Sequence, residues 1–155
     1  QVLRDVMASA HTPADWSFFF KLAMDVESNL HAGTMGWVHE EFYQSVQNFM
    51  EAKRAPADGI AALRFMRSIS AYDWKEAAAQ VDAVLDARKK DRIWIHNDLF
   101  RDGASVALLH TGDVAKARKV FDRMAEYSTR KPGDLRTRMI DAHIAAREKA
   151  ATTRR

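Results

Sequence analysis

Apolar side chains recur from one end of this chain to the other at the spacing of an α-helix, in stretches parted by short turn signals. Each stretch must therefore coil into an amphipathic rod and hide its apolar stripe against a neighbour. The first stripe is Trp16, Phe19, Phe20, Ala23, Val26 and Leu30. It follows Thr12-Pro13-Ala14-Asp15, where Thr12 can cap, Pro13 suits the first helical position and Asp15 sits in the positive first turn. Gly33 ends it. A second helix is predicted from about Met35 to Lys53, with Val38, Phe42, Val46, Phe49 and Met50 on its apolar face. Ala55-Pro56 breaks it, because the residue before proline is pushed out of the helical region.

Pro56 opens a third helix with Ile60, Leu63, Met66 and Ile69 in line. Asp73 caps a fourth, with Glu76 three residues on as in a capping box, and with Trp74, Ala77, Ala78, Val81, Val84 and Leu85 as its stripe. A fifth carries Ile95, Leu99, Phe100, Ala104, Ala107 and Leu108. Thr111-Gly112-Asp113 turns the chain, Gly112 being suited to the left-handed conformation that closes a helix. The sixth carries Val114, Ala117, Val120, Phe121 and Met124; after Lys131-Pro132-Gly133-Asp134, the seventh carries Leu135, Met139, Ile140 and Ile144. Residues 149–155 should fray. None of these stripes looks wide enough for a helix buried all round.

Composition agrees. At 155 residues the chain is expected to form one domain, and 47% apolar residues can fill a core. Only six Gly and three Pro disfavour a β-sandwich, which needs frequent turns. The absence of cysteine excludes disulfides, zinc–thiolate sites and thiol nucleophiles. No uncharged run reaches the roughly 18 residues of a membrane span, and no signal peptide is visible, so a cytoplasmic location is expected. The start at Gln1, with Val2, Leu3, Val6 and Met7 reading as the end of a helix, points to excision from something longer. The net charge of +3 is uneven: residues 1–53 hold three Lys/Arg against seven Asp/Glu, whereas residues 98–155 hold thirteen against eight.

The stretch Ala104 to Met124, within 98–128, resembles a tetratricopeptide repeat. Its features are Ala104, Leu108, the Gly112-Asp113-Val114 turn, Ala117, Phe121 and Met124. A second stretch within 58–88 looks like a degenerate copy, with Tyr72-Asp73-Trp74 in place of the Gly-Asp turn and Ala77, Val81 and Val84 in the packing positions. Asp73 and Asp113 are 40 residues apart, against a family period of 34, and the family's tryptophan and first-helix glycine are missing from both copies. The resemblance implies an all-α fold of about seven helices, in antiparallel pairs stacked as a short right-handed solenoid. It also implies that the first helix of each pair lines a concave face that binds a protein or peptide. Candidate contacts there are the polar residues off the core stripes: Arg64, Arg67, Asn97, Arg101 and Asp102. The rival architecture is an irregular helical bundle.

Catalytic, cofactor and metal motifs are not found. No two of His11, His31, His39, His96, His110 and His143 stand three or four residues apart, so no helix offers two metal ligands on one face. Asp98 and Asp102 share a helix face as an acid/base pair would, but Arg101 stands beside them and solvent is expected to screen them. Trp16 and Trp74 read as core; Trp37 or Trp94, near helix starts, could be an exposed anchor. Phe18-Phe19-Phe20 covers more than one face, so either two neighbours flank this helix, the preferred reading, or part of it is an interaction surface. The basic residues Lys116, Arg118, Lys119 and Arg123 alternate with acids, which disfavours nucleic acid as the partner. The expected function is a non-catalytic protein-interaction or scaffolding domain. The alternatives are an accessory helical segment of a larger enzyme or membrane protein, and nucleic-acid binding through the basic C-terminal half.

Overall fold

The computed structural model describes residues 12, 15–16, 18–21, 23, 36–90, 92–131 and 133–153, with the backbone alone at 36–39. Among them there is no strand. Residues 15–16, 18–21 and 23 lie in a first helical segment. Six helices follow: α1 (Gly36–Ala52), α2 (Ala57–Ser70), α3 (Trp74–Arg88), α4 (Asn97–His110), α5 (Val114–Ala125) and α6 (Leu135–Thr152). The expectations placed on Val2 to Met7, His11, Pro13, Val26, Leu30, His31, Gly33 and the side chains of Trp37, Val38 and His39 lie outside the described residues.

The helix ends follow local chemistry. Thr12 and Asp15 cap each other reciprocally: the Thr12 N–H donates to Asp15 Oδ2 at 2.8 Å and the Asp15 N–H to Thr12 Oγ1 at 3.3 Å. Asp73 accepts from the Glu76 N–H at 3.1 Å. The Glu76 carboxylate takes its hydrogen bond from Gln80 and not from the start of the helix, so the capping box is only half made. Asp113 and Asp134 cap α5 and α6 in the same way.

Three helices close identically. Arg54, Tyr72 and Gly112 have φ of 55°, 57° and 84°. At each, the left-handed residue donates to a carbonyl three back and the next residue to a carbonyl five back: Arg54 to Glu51 and Ala55 to Met50, Tyr72 to Ile69 and Asp73 to Ser68, Gly112 to Leu109 and Asp113 to Leu108. This is the Schellman closure. The turns at Tyr72 and Gly112 also share the cap that follows, so the geometry repeats at the spacing seen between Asp73 and Asp113.

The chain forms two compact units, one of Gln1–Arg67 with Asp82–Trp94 and one of Ser68–Val81 with Ile95–Arg155. In the first, Phe19 meets Trp16 edge-on at 5.9 Å and Phe49 at 5.5 Å. Phe19 and Phe20 are buried while Phe18 is exposed. Trp94 is also buried, against Phe20 and over Gly59, so it is not an exposed anchor. The buried side of α2 centres on Ala61, Ala62, Leu63 and Phe65; Ile60, Met66 and Ile69 are only half-buried. Phe65 and, on α1, Tyr43 are core residues that the stripes omitted.

In the second unit α4, α5 and α6 pack against one another. Asn97 at the start of α4 bonds to Tyr127 just past the end of α5, so these two run antiparallel. Arg101 bonds to Thr137, which sets the start of α6 beside the start of α4. Ala104, Ala107, Leu108, Ala117, Phe121, Met124 and Ile144 fill the space between. α4 is buried on nearly every side, including Asp98, Arg101, Asp102 and Ser105, against the expectation that no helix would be. Leu99 is the reverse case, apolar but exposed. α6 stays helical to Thr152, further than expected of a fraying tail.

Candidate functional site

The five candidate contact residues divide between the two units. In the first unit, Arg64 donates to Glu51 at 3.0 Å, and Arg67 donates to Glu40 and to Gln47. In the second, Asn97 donates its side-chain amide to the Tyr127 carbonyl at 3.0 Å. Arg101 and Asp102 are 2% and 1% exposed, which corrects the expectation that they face outward. The physical reason is charge pairing. Asp102 accepts from Arg130 and from Arg101 at 3.4 Å, and it forms an ion pair with Arg136 at 3.0 Å. Arg101 also donates to Thr137 Oγ1 at 2.8 Å and stands 5.0 Å above the Phe121 ring.

Asp98, one turn earlier, is buried as well, so solvent does not screen the pair. It accepts from the Ser128 hydroxyl, the Thr129 hydroxyl at 2.6 Å and the Thr129 N–H at 3.3 Å. Burial pushes its carboxyl up, but these hydrogen bonds and the Arg101 charge outweigh that and hold it below the usual aspartate range. The two carboxylates thus grip the connector between α5 and α6. Held below its usual range by these donors, Asp98 serves as an ionised anchor. The signal in the sequence was three charged residues within one turn on an otherwise apolar helix, followed by Ser128-Thr129-Arg130 at the next break.

Arg118, on the basic face of α5, is also engaged. Arg118 donates to Asp141 at 2.6 Å and to Glu148 at 3.2 Å, with Asp122 nearby at 3.4 Å. Its guanidinium is held more firmly protonated by Glu148 and Asp141. This fan ties α5 to α6.

A groove of about 230 Å³ runs between α4 and α6, lined by Val106, Leu109, His110, Met139, Ile140 and His143. Leu135 and Met139, expected in the core, are 67% and 64% exposed. Only Ile140 and Ile144 of that stripe turn inward, because α6 has neighbours on one side alone among the described residues. At the groove's end, His110 stacks in parallel on Trp74, the first residue of α3, at 4.7 Å.

Among the described residues, no group of three or more His, Asp or Glu could hold a metal ion, and no helix is long and apolar enough to cross a membrane. The chain matches no protein-family model, no curated protein and no solved structure.

Proposed function

We propose that this chain is a non-catalytic protein-interaction domain, and that a partner's helical segment binds in the groove between α4 and α6. The observation that carries this reading is the exposure of Leu135 and Met139 beside a formed apolar groove. Large side chains at helical spacing stay in water at a free-energy cost unless something covers them. The resemblance of 104–124 to a tetratricopeptide helix pair supports it: on that reading α4 and α6 would be the first helices of successive pairs, the side that such domains offer to ligands. The non-catalytic part of the reading rests on Asp98 and Asp102, whose lone pairs are taken up by Ser128, Thr129 and three arginines.

The test is a selection from a displayed library of helical peptides. Sequences enriched on the wild-type chain should lose binding on Met139→Asp and Leu135→Asp variants, which fold normally because both positions are exposed. If no enriched sequence distinguishes the variants from wild type, the groove is not a binding site and the proposal falls.

A further inference from the structure

We infer that the groove's partner is an acidic amphipathic helix, whose apolar anchors enter beside Met139 and whose carboxylates meet the arginines and lysine that border α6. This rests on the interaction reading above and deepens it.

The argument starts from how charge is distributed around α6. With about 3.6 residues per turn, Leu135, Met139, Ala142, His143, Ala146 and Ala150 share one side of the helix. All six are exposed. The helix's two carboxylates, Asp141 and Glu148, point elsewhere, toward Arg118 of α5. Its four cations border the open side instead: Arg136, already paired with Asp102, and Arg147 along the edge next to α4, and Arg138 and Lys149 along the far edge, so that Arg138, Arg147 and Lys149 are the ones left for a partner. The open face is therefore apolar along its middle and basic along both margins, with no acid of its own helix in it. A ligand complementary to it carries an apolar stripe between rows of Asp or Glu.

The same pattern argues against a second copy as the occupant. If two α6 helices paired through this side, either direction would set cation beside cation, Arg136 or Arg147 of one copy against Arg138, Lys149 or Arg147 of the other. It also argues against a lipid surface. Leu135 and Met139 are the only large apolar residues on the face and the rest are alanine and histidine, too little to sink a helix into a bilayer. The α4 wall further makes the site concave, a shape that fits a side chain better than a flat membrane.

The experiment uses three synthetic peptides of about four helical turns, alike in a leucine stripe and flanked by Glu, Gln or Lys. Binding to the full chain is read by fluorescence anisotropy. The Glu peptide is expected to bind about three- to tenfold tighter than the Gln peptide, the yield of two to three exposed ion pairs. The Lys peptide should bind weakest, and the Glu advantage should shrink as salt rises. An Arg138→Glu, Arg147→Glu double variant, at exposed positions and checked for helicity, should reverse the order of the Glu and Lys peptides. Met139→Asp should abolish binding of all three.

If the Glu and Gln peptides bind equally and both are lost on Met139→Asp, the interaction reading stands and the acidic partner is wrong. If none of the three binds, the acidic-helix inference is overturned, and the peptide selection decides the wider reading by itself. Tighter binding to vesicles of anionic phosphatidylglycerol, or to duplex DNA, than to the Glu peptide at the same salt would likewise overturn it.

Discussion

The six-membered ring of Trp94 closes over Gly59, leaving 2.8 Å between its nearest carbon and the place where a Cβ would stand. Gly59 lies inside α2, where alanine ordinarily stabilises a helix by about 1 kcal/mol. Here the sign should invert. The indole is buried against Phe20 and has little room to retreat. Gly59→Ala should lower stability by about 1–2 kcal/mol, the overpacking cost exceeding the helical gain. Thermal unfolding followed by circular dichroism checks it, and a variant more stable than wild type would mean the ring moves freely.

Asp102 collects Arg101, Arg130 and Arg136, and of these Arg101 is buried with it while Arg136 remains largely exposed. Removing the carboxylate leaves three guanidinium groups without their common counter-charge. Asp102→Ala should cost about 3–5 kcal/mol, the range seen when one partner of a buried ion pair is deleted. Arg101→Glu should be at least as damaging, because it sets a third carboxylate beside Asp98 and Asp102 in place of their cation. Urea titration of both variants measures this; a loss below about 1 kcal/mol for Asp102→Ala would show the network to be dispensable.

Asp98 sets an acid limit. Its folded-state carboxyl titrates below the unfolded one, so the stabilisation it supplies is complete above the unfolded value of about 3.9. It fades as pH falls from there through the lower folded value. Asp98→Asn should be less stable than wild type at neutral pH yet lose less between neutrality and the acid limb. Parallel stability curves for the two proteins would show that Asp98 is not a source of the acid loss.

Gly112 and Tyr72 occupy equivalent places in two Schellman closures. A Cβ at Gly112 meets nothing within 4 Å, so substitution there is opposed by backbone strain alone. Gly112→Val should cost about 1–2 kcal/mol. Tyr72 already bears that strain, and Tyr72→Gly should cost less than half as much, even with the loss of its edge contact to Trp74 at 5.6 Å. Equal costs would mean that φ is not what the two positions share.

Phe121 is buried between α4 and α5 and lies under the Arg101 guanidinium. Phe121→Ala should cost about 3–5 kcal/mol through cavity formation. A loss under about 1 kcal/mol would place the ring outside the core.

Helix positions were legible from residue spacing and caps, because both depend on neighbours within a turn or two. Asp73, Asp113 and the left-handed Gly112 could be read in that way. Burial was legible only where a stripe was unambiguous, as for Ala117, Val120, Phe121 and Met124. It was misread where tertiary packing decided. Leu135 and Met139 have the spacing of core residues, but nothing among the described residues covers them. Arg101 and Asp102 look like surface residues by type, but their partners Arg130, Arg136 and Thr137 come from beyond the next helix. No local pattern announces a pairing across roughly thirty residues.

The grip of Asp98 and Asp102 on the connector also fixes how long that connector can be. Turns on a protein surface usually tolerate an added or deleted residue. Between Tyr127 and Asp134 the register is held at four places, by the Tyr127 carbonyl, the two hydroxyls and the Arg130 guanidinium, each meeting a chosen atom of α4. Evolution or an engineer wishing to lengthen this molecule has freer ground at the Thr111–Asp113 turn than at this seam.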